Sequence, residues 1–420
     1  MASNWSGNIS FGESQYFEPR SIDELQELVS THQKIRVRGS AHSFNSIADT
    51  KSIAINLAHL PKTLKIDSDR KVVEVSASLK YGEFIPALHQ QGWALSNLAS
   101  LPHISVGGSV ATATHGSGIA NQNLASQVGA IHYIDGEGNL RSVSSDDPQF
   151  NGLVVGLGLT GIVTSYELKI EPTFNIRQVI YENVSDRELQ DAFDHIMGSA
   201  YSVSYFTDWS ASNLGNLWCK FKEIEEIPEQ IAHALPAQKK LHPISGIDPV
   251  AATEQFGEVG PWLDRLPHFK LDFMPSVGDE IQSEFFVARN RAPEVIALFR
   301  KLAPTFNHML WISELRTIAA DDLWMSTAFQ RDSVGFHFTW KKTNFDPEVV
   351  RNIENHLKPF NYRPHWGKMF YADSQYLSSV YPMMKKFLAL TAEIDPRGKF
   401  TNAFTDTLIA GKLTSQGDVA

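Results

Sequence analysis

Between Ser105 and Gly118 the chain reads Ser105-Val106-Gly107-Gly108-Ser109-Val110-Ala111-Thr112-Ala113-Thr114-His115-Gly116-Ser117-Gly118, fourteen residues of which all but Val106, Val110 and His115 are Gly, Ala, Ser or Thr. So little side-chain bulk beside so many hydroxyl and backbone N–H donors suits close wrapping of a diphosphate. The stretch lacks the strand-GxGxxG-helix setting of a Rossmann fingerprint and the lysine of a P-loop, so it predicts a different nucleotide cradle.

A second stretch, Ile35-Arg36-Val37-Arg38-Gly39-Ser40-Ala41-His42-Ser43-Phe44-Asn45, is a short apolar strand running into a small-residue turn. Gly39, Ser40 and Ala41 leave room for a close backbone approach, Ser40 and Ser43 add hydroxyls, and His42 sits where a ligand would arrive. Alone, it is equally an ordinary strand-end turn with a satisfied histidine.

At 420 residues the chain exceeds a usual single core and is expected to form two domains, and 42% hydrophobic with 20% charged residues marks a globular protein. A net charge of −10 argues against nucleic acid and anionic membranes as partners, which call for clustered Lys and Arg. Met1-Ala2-Ser3-Asn4-Trp5 has neither a basic nor an apolar leader, and no apolar run approaches a membrane span, so a cytoplasmic location is expected. The single cysteine, Cys219, excludes a disulfide framework and a multi-cysteine zinc site.

In chain order, Ser21-Ile22-Asp23-Glu24 forms a capping box, with Ile22, Leu25, Leu28 and Val29 on one helical face. Ile53–Leu57 is a buried strand, Leu64–Ile66 and Val72–Val75 form a hairpin, and a helix runs from Tyr81 to about Gln91. Ala130–Ile134 and Leu140–Val143 make a second hairpin, and Gly161–Ile170 is a strand after the glycine-punctuated Val154–Gly161. This alternation of short units gives an α+β domain. Glu171-Pro172 is the expected boundary. Beyond it come strands around Tyr201–Trp209, Asn216–Phe221, Ser283–Val287, Met309–Leu315 and Gly335–Trp340, and helices near Arg187–Met197, Pro293–Leu302 and Pro347–Leu357. Pro228–Pro275 is rich in Pro and Gly, and the acidic residues Glu223, Glu225, Glu226 and Glu229 form a solvated face.

Three constellations in the second part carry chemistry. In Leu310-Trp311-Ile312-Ser313-Glu314-Leu315-Arg316, the period of 2 puts Ile312, Glu314 and Arg316 on one face. A carboxylate that accepts beside a guanidinium that donates can grip a polyhydroxylated ligand; alone, the pair is also an exposed ion pair worth under about 1 kcal/mol. His337 and Thr339 repeat the geometry on another strand, and Lys368 follows a Pro turn and a tryptophan in Arg363-Pro364-His365-Trp366-Gly367-Lys368.

The Arg38–Ser43 turn and the Ser105–Gly118 stretch together resemble the flavin domain of the vanillyl-alcohol oxidase superfamily. The E-x-R and H-W-G-K motifs are similar to those of its sugar-alcohol and aldonolactone oxidase branch. The likeness runs nearly end to end, through Asn4–Asn8, Ser100–Val106, Tyr201–Ser204, Phe206–Trp209, Thr253–Gly257, His337–Trp340 and Gly398–Phe404. It implies a PCMH-type FAD-binding domain over 1–171, completed by about 390–420, and an α+β substrate domain over 172–389 with a mixed or antiparallel sheet. It implies FAD bound covalently through His42, with Arg38, Gly39, Ser40, Ala41, Ser43, Phe44, Ser100, Ser105, Gly108, Thr112, Ala113, Thr114, His115 and Val154 around it, and no metal. Cys219 lies far from these segments, which argues against a second flavin bond.

The implied reaction converts the terminal CH2OH of an alditol such as xylitol or sorbitol to the aldose, with hydride passing to flavin N5 and O2 reduced to hydrogen peroxide. Ser100, Glu314, Arg316 and Thr339 would contact substrate, and Lys368, His337, Arg316 and Glu314 would form the catalytic cluster. The residue that takes the hydroxyl proton stays open between Lys368 and His337. The alternatives are an aldonolactone oxidase and a flavin-binding protein without turnover. The expected partners are a small polyol and O2, with the protein a monomer. Ala41 stands where this branch often has Gly, and Ala fits unless the position needs φ > 0.

Overall fold

The computed structural model describes residues 2–12, 14–272 and 279–409. Positions 410–420 of the expected return segment, and the last residues of the Pro/Gly-rich stretch, lie outside them. Ser21 accepts from the Glu24 N–H at 3.1 Å and starts the helix Ile22–Thr31, whose Leu25, Leu28 and Val29 are buried. The Glu24 carboxylate reaches back to the Arg20 N–H at 2.7 Å rather than to Ser21. Ile53–Ile55 lies between Gln15–Phe17 and Ile35–Val37, parallel to both. Ile35–Val37 aims the His42 turn at the centre of the molecule.

Next to this small sheet stands a five-stranded antiparallel sheet in the order Leu64–Asp67, Val72–Ser76, Ile162–Lys169, Val128–Ile134, Leu140–Ser144. The glycine-rich stretch is less open than its composition suggests, because Val106–Ala111 closes into a short helix. Packing enforces small residues there: a Cβ on Gly107 would lie 3.0 Å from the Ala77 carbonyl oxygen. Glu171-Pro172 does not simply end a strand. It pairs antiparallel with Trp93–Ala94 as a two-residue ladder, Pro172 being tolerated at the edge.

A nine-stranded sheet dominates the rest, and its pairings are antiparallel throughout. Its central order is Asn175–Ser185, Leu214–Lys222, Ser202–Thr207, Leu310–Ile318, Ser333–Lys341, Glu280–Ala288. The first of these was not foreseen, because Gln178, Glu182 and Asn183 interrupt its apolar pattern and its ladder shifts register between Tyr181 and Val184. The expected helix at 187–197 is two pieces, Asp186–Asp191 and Phe193–Met197, broken at Ala192.

The two faces of this sheet differ. Opposed residues share a face, so Phe206, Glu314, His337 and Glu284 form one row, and Gln282, Thr339 and Ile312 the next. The other face carries Tyr205, Leu315, Phe336, Phe338 and Phe285, on which the helix Ala292–Phe306 packs through Phe299. The chain then returns to its start. The Ile35 N–H donates to the Lys399 carbonyl, Arg36 Nη1 to that of Phe400, and Asn402 Nδ2 to those of Ser46, Ile47 and Asp49. Among the described residues no helix is long and apolar enough to cross a membrane.

Candidate active site

The two small-residue stretches touch each other. The Ser105 N–H donates to Ser40 Oγ at 3.2 Å, and a Cβ on Gly39 would lie 2.9 Å from Ser105 Oγ. The His42 turn is tied to the H-W-G-K stretch by the Phe44 N–H on the Gly367 carbonyl, and by Asn45 Nδ2 on those of Trp366 and Lys368. Between them and the sheet lies a cavity of about 450 Å³. Gly39, Ser40, Ala41, His42, Ser43, Phe44, Ser105, Gly108, Thr112, Thr114 and Val154 line one side, and Ser100, Glu314, Arg316, His337, Thr339 and Lys368 the other.

Arg38 and Ala113 do not line it. Beyond the last strand residue, Val37, side-chain alternation lapses, and the Arg38 guanidinium lies over the Phe11 ring, 3.8 Å from its centroid. Ala113 is fully buried at a φ of 53°. His115 lines the cavity, but its Nε2 lies 3.1 Å from Glu284 Oε1, on the sheet side rather than the cradle side. Ala41 has a φ of 56°, so the position does need the left-handed region, and Ala holds it under strain.

His42 stacks on Trp5, ring centroids 5.4 Å apart, and Trp5 donates its N–H to the Ala41 carbonyl. The His42 Nδ1 is buried without a hydrogen-bond partner. Burial first, then His103, lowers its pKa to about 4, so the ring is neutral at physiological pH.

At the sheet, Glu284 is the hub. Its fully buried carboxylate accepts from Lys368 Nζ at 2.6 Å and from Arg316 Nη2 at 3.1 Å. Burial pushes this carboxyl up, but Lys368, His115 and Arg316 outweigh it and hold it well below the usual range. Lys368 Nζ also donates to His337 Nδ1 at 2.7 Å, and His337 Nε2 lies 3.0 Å from Thr339 Oγ1. Burial, then Lys368, lowers His337 to about 4. Lys368 is itself lowered by burial, against the pull of Glu284. Arg316 Nη1 donates to Ser100 Oγ at 3.2 Å, and Arg316 Nε lies 3.5 Å from Glu314 Oε1. Glu314 also faces His268 Nε2 at 2.8 Å, and against the effect of its burial Arg316 and His268 keep it ionised.

Sequence reasoning missed Glu284, His268, Lys220 and Gln282. The signal for two of them was present: Glu284 and Lys220 are lone charges inside the apolar strand runs Ser283–Val287 and Leu217–Phe221. Ligand atoms of His115, Glu284 and His365 gather within 4.8 Å of one another. Lys368 and Arg316 already neutralise that carboxylate, so a dication there would meet two cations.

The cradle offers hydroxyl and backbone donors for a diphosphate, small residues where packing admits no more, and a neutral histidine whose Nδ1 has no hydrogen-bond partner. These features fit a flavin dinucleotide and define an FAD-dependent oxidoreductase. Residues 14–144 match the family model described as FAD binding domain, and residues 279–408 that described as D-arabinono-1,4-lactone oxidase. The chain is 38% identical to the alditol oxidase of Streptomyces sp. (strain IKD472 / FERM P-14339), over 97% of this chain and 99% of that one. It is 24% identical to the L-gulonolactone oxidase of Bos taurus, over 96% and 97% of the two chains. In fold it resembles the crystal structure of cholesterol oxidase from B. sterolicum, with a TM-score of 0.79 at 16% identity over 97% and 96% of the two chains. The chain belongs to the alditol oxidase family, in the aldonolactone oxidase branch of the vanillyl-alcohol oxidase flavoproteins.

Proposed function

We propose that this enzyme oxidises the terminal CH2OH of an open-chain alditol, such as xylitol or sorbitol, to the aldose. The observation that carries this reading is the mixed-charge sheet face, where Glu280 and Glu314 line the cavity with Arg316 and Lys368, both cations bonded to the buried Glu284, beside the neutral Ser100, Gln282 and Thr339. An uncharged polyol finds both donors and acceptors along such a face, whereas an anionic substrate would meet carboxylates beside cations that they already engage. Bound in the cradle, FAD would supply a hydride acceptor at N5 and a route for the electrons to O2, which would leave as hydrogen peroxide. Its covalent attachment through His42 is supported by the neutral imidazole, whose Nδ1 has no hydrogen-bond partner.

The hydrogen bonds divide the roles of Lys368 and His337. An ammonium only donates, so His337 Nδ1 accepts from Lys368, and the neutral ring carries its hydrogen on Nε2, facing Thr339 Oγ1. Lys368 spends two of its N–H groups on Glu284 and His337, and the third remains for the alcohol oxygen. Lys368 therefore stabilises alkoxide character, and His337 holds it in place. We also infer a division into a flavin part, 1–171 with about 390–420, and a substrate part, 172–389. The return of Lys399–Asn402 to the His42 strand supports it.

The test is a screen of alditols, simple alkanols and sugar lactones for peroxide release in air. Xylitol and sorbitol should far exceed glycerol and butanol in kcat/KM, because remote hydroxyls align the reacting carbon. A clear preference for a lactone would assign the lactone reaction instead. No turnover of any of them would refute the enzyme reading of this face.

A further inference from the structure

Behind Glu314 lies a buried lysine that the reaction as described does not use. Lys220, on the strand Leu214–Lys222, is 1% exposed, and no carboxylate lies within 4.0 Å of its Nζ among the described residues. Its Nζ donates to the Leu266 carbonyl and, at 3.3 Å, to His268 Nδ1. Its neighbours across the sheet, Gln178 and Ser202, are neutral, and the charged groups it faces are Glu314 and Arg316. Burial lowers Lys220 to about 7 against the pull of Glu314, so the ammonium is about half of the population at neutrality and dominates below it.

His268 is fixed on every side. Its ring meets Phe206 and Trp218 edge-on, at 5.3 and 5.4 Å between centroids, and its backbone carbonyl accepts from the Thr253 N–H at 2.9 Å. An ammonium has no lone pair, so Nδ1 must accept and the neutral ring must carry its hydrogen on Nε2. That hydrogen points at Glu314 Oε1, 2.8 Å away, which is also the oxygen nearest Arg316 Nε. Both protein contacts of the carboxylate thus fall on Oε1. Oε2 has no protein partner among the described residues, and Glu314 lines the cavity.

We propose that Lys220 is a positioning residue for substrate: by holding His268 through Nδ1 it keeps the Nε2–H on Glu314 Oε1 and leaves Oε2 to accept a polyol hydroxyl. The inference rests on the polyol reading of Glu314. Without the ammonium, His268 Nδ1 is left buried without its donor, and the ring is no longer held where its Nε2–H meets the carboxylate. Glu314 would turn or recruit water, and substrate binding would weaken more than the chemical step.

The test uses the flavin-loaded enzyme with xylitol, comparing wild type, Lys220→Met, Glu314→Gln and the double variant. Lys220→Met should raise KM at least roughly tenfold while the limiting rate of anaerobic flavin reduction stays within about threefold. On the Glu314→Gln background the same change should alter KM less than about twofold, since residues acting through one group are not additive. Should Lys220→Met not fold, His268→Phe keeps the ring packing, removes the N–H, and must raise KM in the same way. A wild-type KM in either variant, or an undiminished effect in the double variant, overturns the positioning role. If Glu314→Gln alone leaves the KM for xylitol unchanged, the polyol reading of Glu314 fails, and the role of Lys220 with it.

Discussion

Replacing Glu284 by glutamine removes the negative charge on which Lys368, Arg316 and His115 converge, at 2.6, 3.1 and 3.1 Å. At an effective dielectric constant near 20, unit charges 2.6 Å apart attract by roughly 6 kcal/mol. The cost of burying the carboxylate offsets part of this, and breaking such a buried pair costs about 3–5 kcal/mol of stability. The amide also presents an NH2 to Lys368 and Arg316, which only donate. Part of the strain is relieved if Lys368 loses its proton, because Glu284 is the largest influence holding its pKa up against burial. Two readouts follow. Equilibrium unfolding in denaturant should show a loss of about 3–5 kcal/mol for Glu284→Gln. The pH profile of anaerobic flavin reduction by xylitol should move toward lower pH, as Lys368 deprotonates earlier. Glu284→Asp, which keeps the charge, should recover part of both effects. A Glu284→Gln enzyme within about 1 kcal/mol of wild type and with an unmoved profile would refute the hub.

Three further expectations can be checked separately. His42→Ala should bind FAD only noncovalently, so acid precipitation should release all of its flavin and none from wild type; complete release from wild type refutes the attachment. Ala41→Gly should raise stability by about 0.5–1 kcal/mol, since left-handed backbone costs Ala roughly 1–2 kcal/mol and glycine's extra unfolded-state entropy returns part of that; a destabilised variant in a thermal melt refutes it. Burial raises Glu354 from 4.5 to about 7 although its carboxylate accepts from the Tyr371 N–H. The folded state therefore binds the proton more tightly than the unfolded one, and this group's contribution falls as pH rises from about 4.5 to about 7, by on the order of 3 kcal/mol in all. Relative to wild type, Glu354→Gln should gain stability between pH 5 and pH 8, and a difference independent of pH refutes the assignment.

What could be read from the sequence was local. Glu314 with Arg316, and His337 with Thr339, stand two apart on strands, so their shared faces follow from the pleat alone. That the two strands are neighbours, with Glu314 opposite His337, depends on pairing across 23 residues of sequence, which no local pattern encodes. His268 was hidden for the same reason, and Glu284, though visible as a lone charge in an apolar strand, could not be joined to its partners, because each reaches the site from an element remote in sequence. The left-handed backbone at Ala41 was invisible because alanine carries no signal for it, whereas a glycine would have. His115 was placed with the cradle by its neighbours in sequence, but its ring obeys the carboxylate it meets in space.

The return of the C-terminal segment orders events during synthesis. Arg36 and Phe400, joined by a hydrogen bond, are 364 residues apart. At roughly 5–20 residues per second, the ribosome needs roughly 20–70 s to travel between them. Throughout that interval the Ile35 N–H has no Lys399 carbonyl to meet, Arg36 lacks one of its carbonyl partners, and the edge of the Ile35–Val37 strand stays open. The strand that delivers His42 is therefore among the first parts of the chain made and among the last to be secured. A chain cut before Asp395 would leave that edge open for pairing with other chains.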